Sequence, residues 1–316
     1  MNQVSSRITK KLNSAAHARP FLKWAGGKTQ LLAQISRRLP VQMKNGEIST
    51  YVEPFVGGGA VFFYLSRNFS FDHSTISDAN EELIMAYRVI KKSTKKLICE
   101  LEFLESVYLS KNIEDRERLY YQVRESFNRK KPETDFQKYH TDWVFRAAQC
   151  IFLNHCGYNG LFRMNRKGEF NVPFGRYKSP QILNRENLRA VSALLKKTTV
   201  IQGDFTRCRK WVDDTSFVYL DPPYRPLNTT SSFTSYSKDS FSDPDQRRLA
   251  GLFRELDTKG AKIMLSNSDP GNEKPGDSFF DELYADYTIE RVPAKRSINC
   301  NGARRGEINE LIITNY

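Results

Sequence analysis

The sequence predicts an α/β fold, a mostly parallel sheet interrupted by a mainly helical insert, and three observations predict it. Short β-rich runs recur, most of them apolar and ending at Gly, Pro, Asp or Asn, as strands buried on both faces do. Between residues 81 and 155 the apolar spacing changes to a helical period. After residue 184 the β-rich runs resume.

In chain order, the strand candidates are 50–55 (TYVEPF), 74–78 (STISD), 198–204 (TTVIQGD) and 216–223 (SFVYLDPP). Three more follow at 261–267 (AKIMLSN), 287–292 (YTIERV) and 308–315 (INELIITN). Within the helical region, Leu97, Leu101, Leu104 and Tyr108 fall on one stripe. So do Leu119, Val123 and Phe127, and then Trp143, Ala147 and Ile151. Such stripes are more often core than ligand sites. The polar stretch 269–278 reads as an exposed loop. These changes divide the chain into 1–80, 81–183 and 184–316, with no internal repeat and no low-complexity linker.

Composition narrows the class. Hydrophobic residues are 39% and aromatics 12% of the 316, which excludes a disordered chain. No apolar run approaches the length of a membrane span. The first nineteen residues hold Arg7, Lys10, Lys11 and Arg19 without an acid or a secretory apolar core, and read as a basic arm. Five cysteines (99, 150, 156, 208 and 300) have no paired spacing, which fits reduced cytoplasmic thiols. His155 beside Cys156 lacks a second close Cys/His pair, so no structural metal site is expected. The net charge of +13 points to a polyanionic partner, although membrane surfaces and acidic proteins also fit.

Four motifs carry chemistry. Gly27-Lys28-Thr29 resembles the end of a phosphate-binding loop, but the glycine needed five residues before Gly27 is Leu22. What remains is a tryptophan, two glycines and a lysine together, in Lys23-Trp24-Ala25-Gly26-Gly27-Lys28. The run 51–63 (YVEPFVGGGAVFF) is a strand, a tight glycine turn and a helix start, where bare amides let a ligand approach closely. A dinucleotide fold would need a third glycine where Phe62 stands. Asp78 ends the next strand, placed either to bind ribose hydroxyls or to cap a helix from Ala79. Last, Asp221-Pro222-Pro223-Tyr224 follows the apolar strand FVYL, which puts Asp221 at the carboxyl edge of the sheet. The prolines stiffen the loop and leave the Asp221 carboxylate and the Pro222 carbonyl as acceptors beside the Tyr224 ring. That pairing suits a planar group bearing an NH₂.

In this order, Lys23–Lys28, Phe55-x-Gly57-x-Gly59, Asp78 and Asp221–Tyr224 resemble the adenine-specific DNA methyltransferases, and specifically those of Dam type. The stretch 157–178 resembles the recognition hairpin of that family, and 221–241 and 296–312 extend the likeness over nearly all of 21–316. The basic N-terminal extension and a longer loop at 41–49 depart from it without removing a motif residue.

The resemblance implies a Rossmann-like methyltransferase sheet, mostly parallel with one antiparallel strand near the C-terminus. It carries an inserted, mainly helical DNA-recognition domain with a β-hairpin. It implies S-adenosyl-L-methionine as methyl donor and the exocyclic amine of an adenine in double-stranded DNA as acceptor, within GATC, with a different or longer GAT-containing site as the alternative, since relatives reading longer sites share much of this hairpin. Trp24, Lys28, Phe55, Gly57, Gly59, Asp78, Asp204, Phe205 and Asp221 would bind the cofactor, with Lys28 near its methionine carboxylate. Asp221, Pro222, Pro223 and Tyr224 would be catalytic, holding a base flipped from the duplex. Arg163 would read a guanine, Leu161 and Pro173 other base pairs, and Lys23 an outer guanine. Tyr158 and Asn159 would wedge into the space left by the base, while Asn165 and Arg176 complete the DNA-binding set. Between 156 and 178, five basic residues stand against Glu169, interleaved with Tyr158, Phe162, Phe170, Phe174 and Tyr177. A monomer with no obligatory protein partner and no membrane attachment suffices, acting in the cytoplasm. Enzymes of this fold that methylate protein amides usually carry Asn where Asp221 stands, and an RNA enzyme would not need the hairpin. A catalytically silent DNA-binding regulator is the rival of another class.

Overall fold

The computed structural model describes residues 18–24, 26–165, 167–225, 241–295 and 307–316. The basic arm before residue 18, Ala25, Arg166, Cys300 and most of the motif extensions at 226–240 and 296–306 lie outside the described residues. In chain order the elements are α1 (Leu32–Arg37), α2 (Val41–Lys44), β1 (Thr50–Glu53), α3 (Ala60–Asn68), β2 (His73–Asp78) and α4 (Glu81–Leu109). Next come α5 (Ile113–Arg129), α6 (Trp143–Cys156), α7 (Arg185–Leu195), β3 (Thr198–Gln202) and β4 (Ser216–Leu220). The remainder are α8 (Asp243–Thr258), β5 (Lys262–Ser268), α9 (Phe279–Leu283), β6 (Thr288–Lys295) and β7 (Glu307–Thr314).

Each strand candidate forms. The seven-stranded sheet has the order β3-β2-β1-β4-β5-β7-β6. β1 pairs in parallel with β2 and β4, and β4 with β5, while β7 runs antiparallel to both β5 and β6. The single reversed strand near the C-terminus is therefore β7, and the fold is the Rossmann-like α/β sheet expected. Strand order turns back at β1 and β4, so the carboxyl ends of these neighbours flank a topological switch point. Among the described residues no helix is long and apolar enough to cross a membrane.

The chain divides into two compact units. One comprises the residues up to Gly27 with Gly57–Asn68 and Asn80–Gln202, and the other Lys28–Val56, Phe69–Ala79 and Gly203–Tyr316. The first packs α4, α5 and α6 through the predicted stripes. Leu97, Leu101, Leu104, Tyr108, Val123, Phe127, Trp143, Ala147 and Ile151 are all buried, and Leu119 half so. A buried Arg146–Glu82 pair ties α6 to the start of α4, and Arg146 also donates to the Phe127 carbonyl at 2.9 Å. In the second unit, Val52, Val218, Leu220, Ile263, Leu265 and Ile313 pack under Leu249, Phe253 and Leu256 of α8.

The helix after β2 starts at Glu81, and its cap is Asn80, whose side chain accepts from the Leu83 amide at 3.0 Å, which excludes the capping alternative for Asp78. The segment 157–178 closes through two isolated antiparallel bridges, Gly157 with Phe174 and Met164 with Phe170.

Candidate active site

In the second unit, β4 is fully buried along its length and ends at Leu220, so Asp221 emerges at the sheet's carboxyl edge. Its carboxylate is partly covered, with 18% of the side chain exposed. Lys28 Nζ lies 2.8 Å from Asp221 Oδ1 and donates to the Tyr224 hydroxyl at 2.6 Å, while sitting 4.3 Å from the centre of the Tyr224 ring. The Tyr224 hydroxyl donates to Glu310 Oε2 at 2.7 Å, and that carboxylate is 3.9 Å from Lys28 Nζ. Ser266 on β5 donates to Asp221 at 3.3 Å. Lys28 and Glu310 thus share the Tyr224 hydroxyl, and Lys28 also holds Asp221. Burial pushes the Asp221 carboxyl above the usual carboxylate range, with Lys28 pulling it down and Glu310 pushing it up.

The loop bearing these groups is pinned from below. Gln246 of α8, fully buried, donates to the Pro223 carbonyl at 3.4 Å and accepts from Asn267 at 3.3 Å. Arg225 bonds both oxygens of Asp243 at 2.6 and 2.9 Å and reaches Asp277 at 3.0 Å. Tyr224 is held between these anchors yet stays 37% exposed.

Elsewhere in this unit, Phe55 stacks on Phe205 at 5.3 Å, and Phe241 meets both rings at 5.8 Å. Asp204 caps the turn that begins at Phe205 by accepting from Thr206 at 3.0 Å, and it pairs with Arg248 at 3.0 Å. Burial pushes the Asp204 carboxyl up, but the Thr206 and Arg248 bonds outweigh it and hold the group below its ordinary value. Asp78 ends β2, and its carbonyl accepts from the Gly203 amide at 3.0 Å.

In the first unit, a second constellation forms around Lys23 and Trp24. Asn154, wholly buried on α6, accepts from the Lys23 amide at 2.9 Å. Its amide group donates to the carbonyls of Lys23 at 2.9 Å and Gly160 at 2.8 Å. Gly160 has φ +64°, and a Cβ there would come within 2.2 Å of the Lys23 side chain, so only glycine fits. The Trp24 indole stacks on Phe162 at 5.1 Å and covers the glycine turn, where a Cβ on Gly57 or on Gly58 would meet it at 3.0 Å. Gly59, at φ +76°, is crowded instead by Tyr87 and Phe63.

The recognition segment presents its predicted residues unequally. Tyr158 is 53% exposed, and Asn159 follows in the left-handed region at φ 55°. Arg163, also exposed, donates from Nε to Asn171 at 2.8 Å. Leu161 is half-buried and Pro173 exposed, its carbonyl accepting from the Tyr158 amide at 2.9 Å. Asn165 turns inward on its own loop, accepting from the amides of Lys167 and Glu169 and donating to the Glu169 carboxylate at 2.8 Å. Arg176 pairs with Glu117 at 2.7 Å, and Lys23 Nζ lies 5.7 Å from the centre of the Tyr177 ring.

A sequence profile of the D12 class N6 adenine-specific DNA methyltransferases matches residues 24–298. The chain belongs to that family. It is 52% identical over 94% of its length to 99% of a type II methyltransferase, M.MjaIII, from Methanocaldococcus jannaschii. It is 38% identical, over 94% of its length and 95% of the relative, to a type II methyltransferase, M1.LlaDCHI, from Lactococcus lactis subsp. cremoris. It is also 36% identical to the DNA adenine methylase of Escherichia coli K12, over 93% of this chain and 94% of that one.

As a D12-class enzyme, the chain uses S-adenosylmethionine to methylate adenine in DNA. The donor set of the second unit fits that cofactor. A carboxylate residue at a strand tip, Asp78, and the stacked rings of Phe55 and Phe205 beside Asp204 are the kinds of group that a nucleoside-bearing cofactor requires. Lys28 pairs with Asp221 at 2.8 Å and lies 3.9 Å from Glu310.

The sequence reading missed Glu310, Ser266 and Asn154. Glu310 had a visible signal, an acid directly before the apolar run Leu311-Ile312-Ile313 of β7. Asn154 had none, because an amide on a helix gains meaning only from the loop it reaches. Asn154→Ala removes partners from three buried backbone groups, and about 2–3 kcal/mol of stability should go with them. A denaturation midpoint unchanged from wild type would contradict the clamp.

Proposed function

We propose that this methyltransferase acts on double-stranded DNA within GATC, and that the target adenine leaves the base stack before transfer. The observation that carries the reading is the occupancy of Asp221. Its carboxylate holds an ammonium 2.8 Å away, and that ammonium lies 4.3 Å from the centre of the Tyr224 ring. An acceptor beside an aromatic face is what a flat base with an amino group requires.

The roles follow. Adenine's amino lone pair is delocalised into the ring and is a poor nucleophile. Hydrogen bonds from that NH₂ to Asp221 and to the Pro222 carbonyl favour a tetrahedral nitrogen with a localised lone pair. S-adenosyl-L-methionine supplies the methyl group on a positively charged sulfur. Pro222 and Pro223 hold the acceptors rigid, and Tyr224 stacks on the base. Unstacking costs a few kcal/mol, and stacking on a tyrosine returns roughly 1–3 kcal/mol of it.

Asp78, Asp204, Phe55 and Phe205 are assigned to the nucleoside part of the cofactor, and Trp24 with the Gly57–Gly59 turn keeps the cofactor role of the family resemblance. Residues 81–183 are assigned to target recognition, with Lys23, Tyr158, Asn159, Leu161, Arg163, Pro173 and Arg176 toward DNA. Asn165 is assigned to shaping the loop, since its side chain is engaged there. One base per catalytic event asks for a single copy of the chain.

Purified protein with S-adenosylmethionine and unmethylated plasmid tests the reading. Cutting by a nuclease specific for methylated GATC, with resistance to one blocked by that mark, is the expected pattern. Label entering DNA without either change would discard GATC and keep the chemistry. Arg163→Ala should relax discrimination at one base pair by about 5- to 150-fold, the equivalent of a bidentate guanine contact of roughly 1–3 kcal/mol. Equal losses on matched and mismatched duplexes would assign Arg163 to the phosphates instead.

A further inference from the structure

Glu310 lies in the middle of β7, directly before its apolar run Leu311, Ile312 and Ile313. Leu311, Ile312 and Ile313 beside it are buried, whereas the Glu310 side chain retains 13% exposure and reaches the Tyr224 hydroxyl at 2.7 Å. Its backbone is fixed from both sides, in register with Ser268 on β5 and Val292 on β6. Lys28, the other group bonded to that hydroxyl, is shared with Asp221. A second carboxylate close to Asp221 is electrostatically unfavourable, and in the absence of a role an uncharged residue would fit the site better.

We propose that Glu310 is a positioning residue for methyl transfer, holding the Tyr224 ring by its hydroxyl in the orientation that receives the target base. This rests on Tyr224 being the stacking partner of the adenine. Tyr224 follows two prolines, and its ring is 37% exposed, so the chain around it leaves the ring's tilt open. Lys28 cannot fix that tilt while it also serves Asp221, because its bond to the hydroxyl changes whenever an amine takes the carboxylate. Glu310 stands on a strand that does not move with the substrate.

A double-mutant cycle tests it, with kcat measured on plasmid DNA and cofactor dissociation constants from tryptophan fluorescence. Glu310→Ala should lower kcat by about ten- to a hundredfold, the range for a lost hydrogen bond to a charged group. The cofactor constant should change by no more than about twofold, as expected for a residue that does not touch it. Glu310→Gln, which still accepts from the hydroxyl, should recover most of the rate. In a Tyr224→Phe background, which keeps the ring and lacks the hydroxyl, Glu310→Ala should add less than about a twofold loss. Losses that multiply in full, or a Glu310→Ala enzyme at wild-type rate, would overturn the role of Glu310. A fully active Tyr224→Ala enzyme would instead remove the stacking assignment, and this proposal with it.

Discussion

Asp221→Ala is expected to lower methyl transfer by at least about a thousandfold, since it removes the charged acceptor on which amine activation depends. Folding should survive. Ser266 and Tyr219 retain each other at 2.8 Å, and Lys28 retains the Tyr224 hydroxyl and the Glu310 carboxylate. Asp221→Asn keeps an oxygen acceptor without its charge. Charge-assisted hydrogen bonds are roughly twice as strong as neutral ones, so this variant should lie between alanine and wild type. Single-turnover transfer of labelled methyl from a preloaded enzyme isolates the chemical step. A rate for Asp221→Ala within tenfold of wild type would rule out the assignment.

Lys28→Met should change the pH dependence as well as the rate. In the proposed mechanism Asp221 acts as its carboxylate, so activity rises as pH climbs through its pKa. Burial holds that pKa above the ordinary range, Glu310 adds to the rise, and Lys28 opposes both. Removing the cation therefore raises the pKa further, and the acid limb of the profile moves to higher pH. On that limb the rate falls about tenfold per unit and recovers at alkaline pH. The phenols around Asp221, those of Tyr51 on β1, Tyr219 on β4 and Tyr224, do not supply this limb. Burial first, and then neighbouring carboxylates, push all three upward, so they remain neutral across the window. A profile for Lys28→Met that is merely scaled down, with its limb in place, would detach Lys28 from Asp221.

The sheet was legible because its evidence is local. A buried strand advertises itself by a short apolar run with a breaker at its end, and most of the seven candidates follow that rule. Asp221 was legible for the same reason, as the breaker after FVYL. The partners of Asp221 were not. Glu310 lies 86 residues from Tyr224 in sequence, and Lys28 lies 196 residues before Tyr224. Their meeting depends on strand order, which no spacing rule contains. The start of α4 shows a different limit. Asp78 and Asn80 are both good capping residues, and only the hydrogen bond to Leu83 distinguishes them. The loop at Asn165 illustrates a third, since a polar side chain in a basic, aromatic-rich segment reads equally well as a DNA contact or a brace.

The indole of Trp24 lies against the glycine turn on one side and Phe162 on the other, and Phe162 in turn packs on Phe170 at 5.5 Å. A ligand that displaces the turn therefore meets resistance set by the recognition segment. Thermodynamic linkage makes the effect reciprocal: whatever factor the cofactor adds to affinity for DNA, DNA adds to affinity for the cofactor. Trp24 is one of three tryptophans, so its emission is an optical record of that exchange. In the proposed assignment of this turn to the cofactor, comparing cofactor affinity with and without duplex reads the sign and size of that coupling.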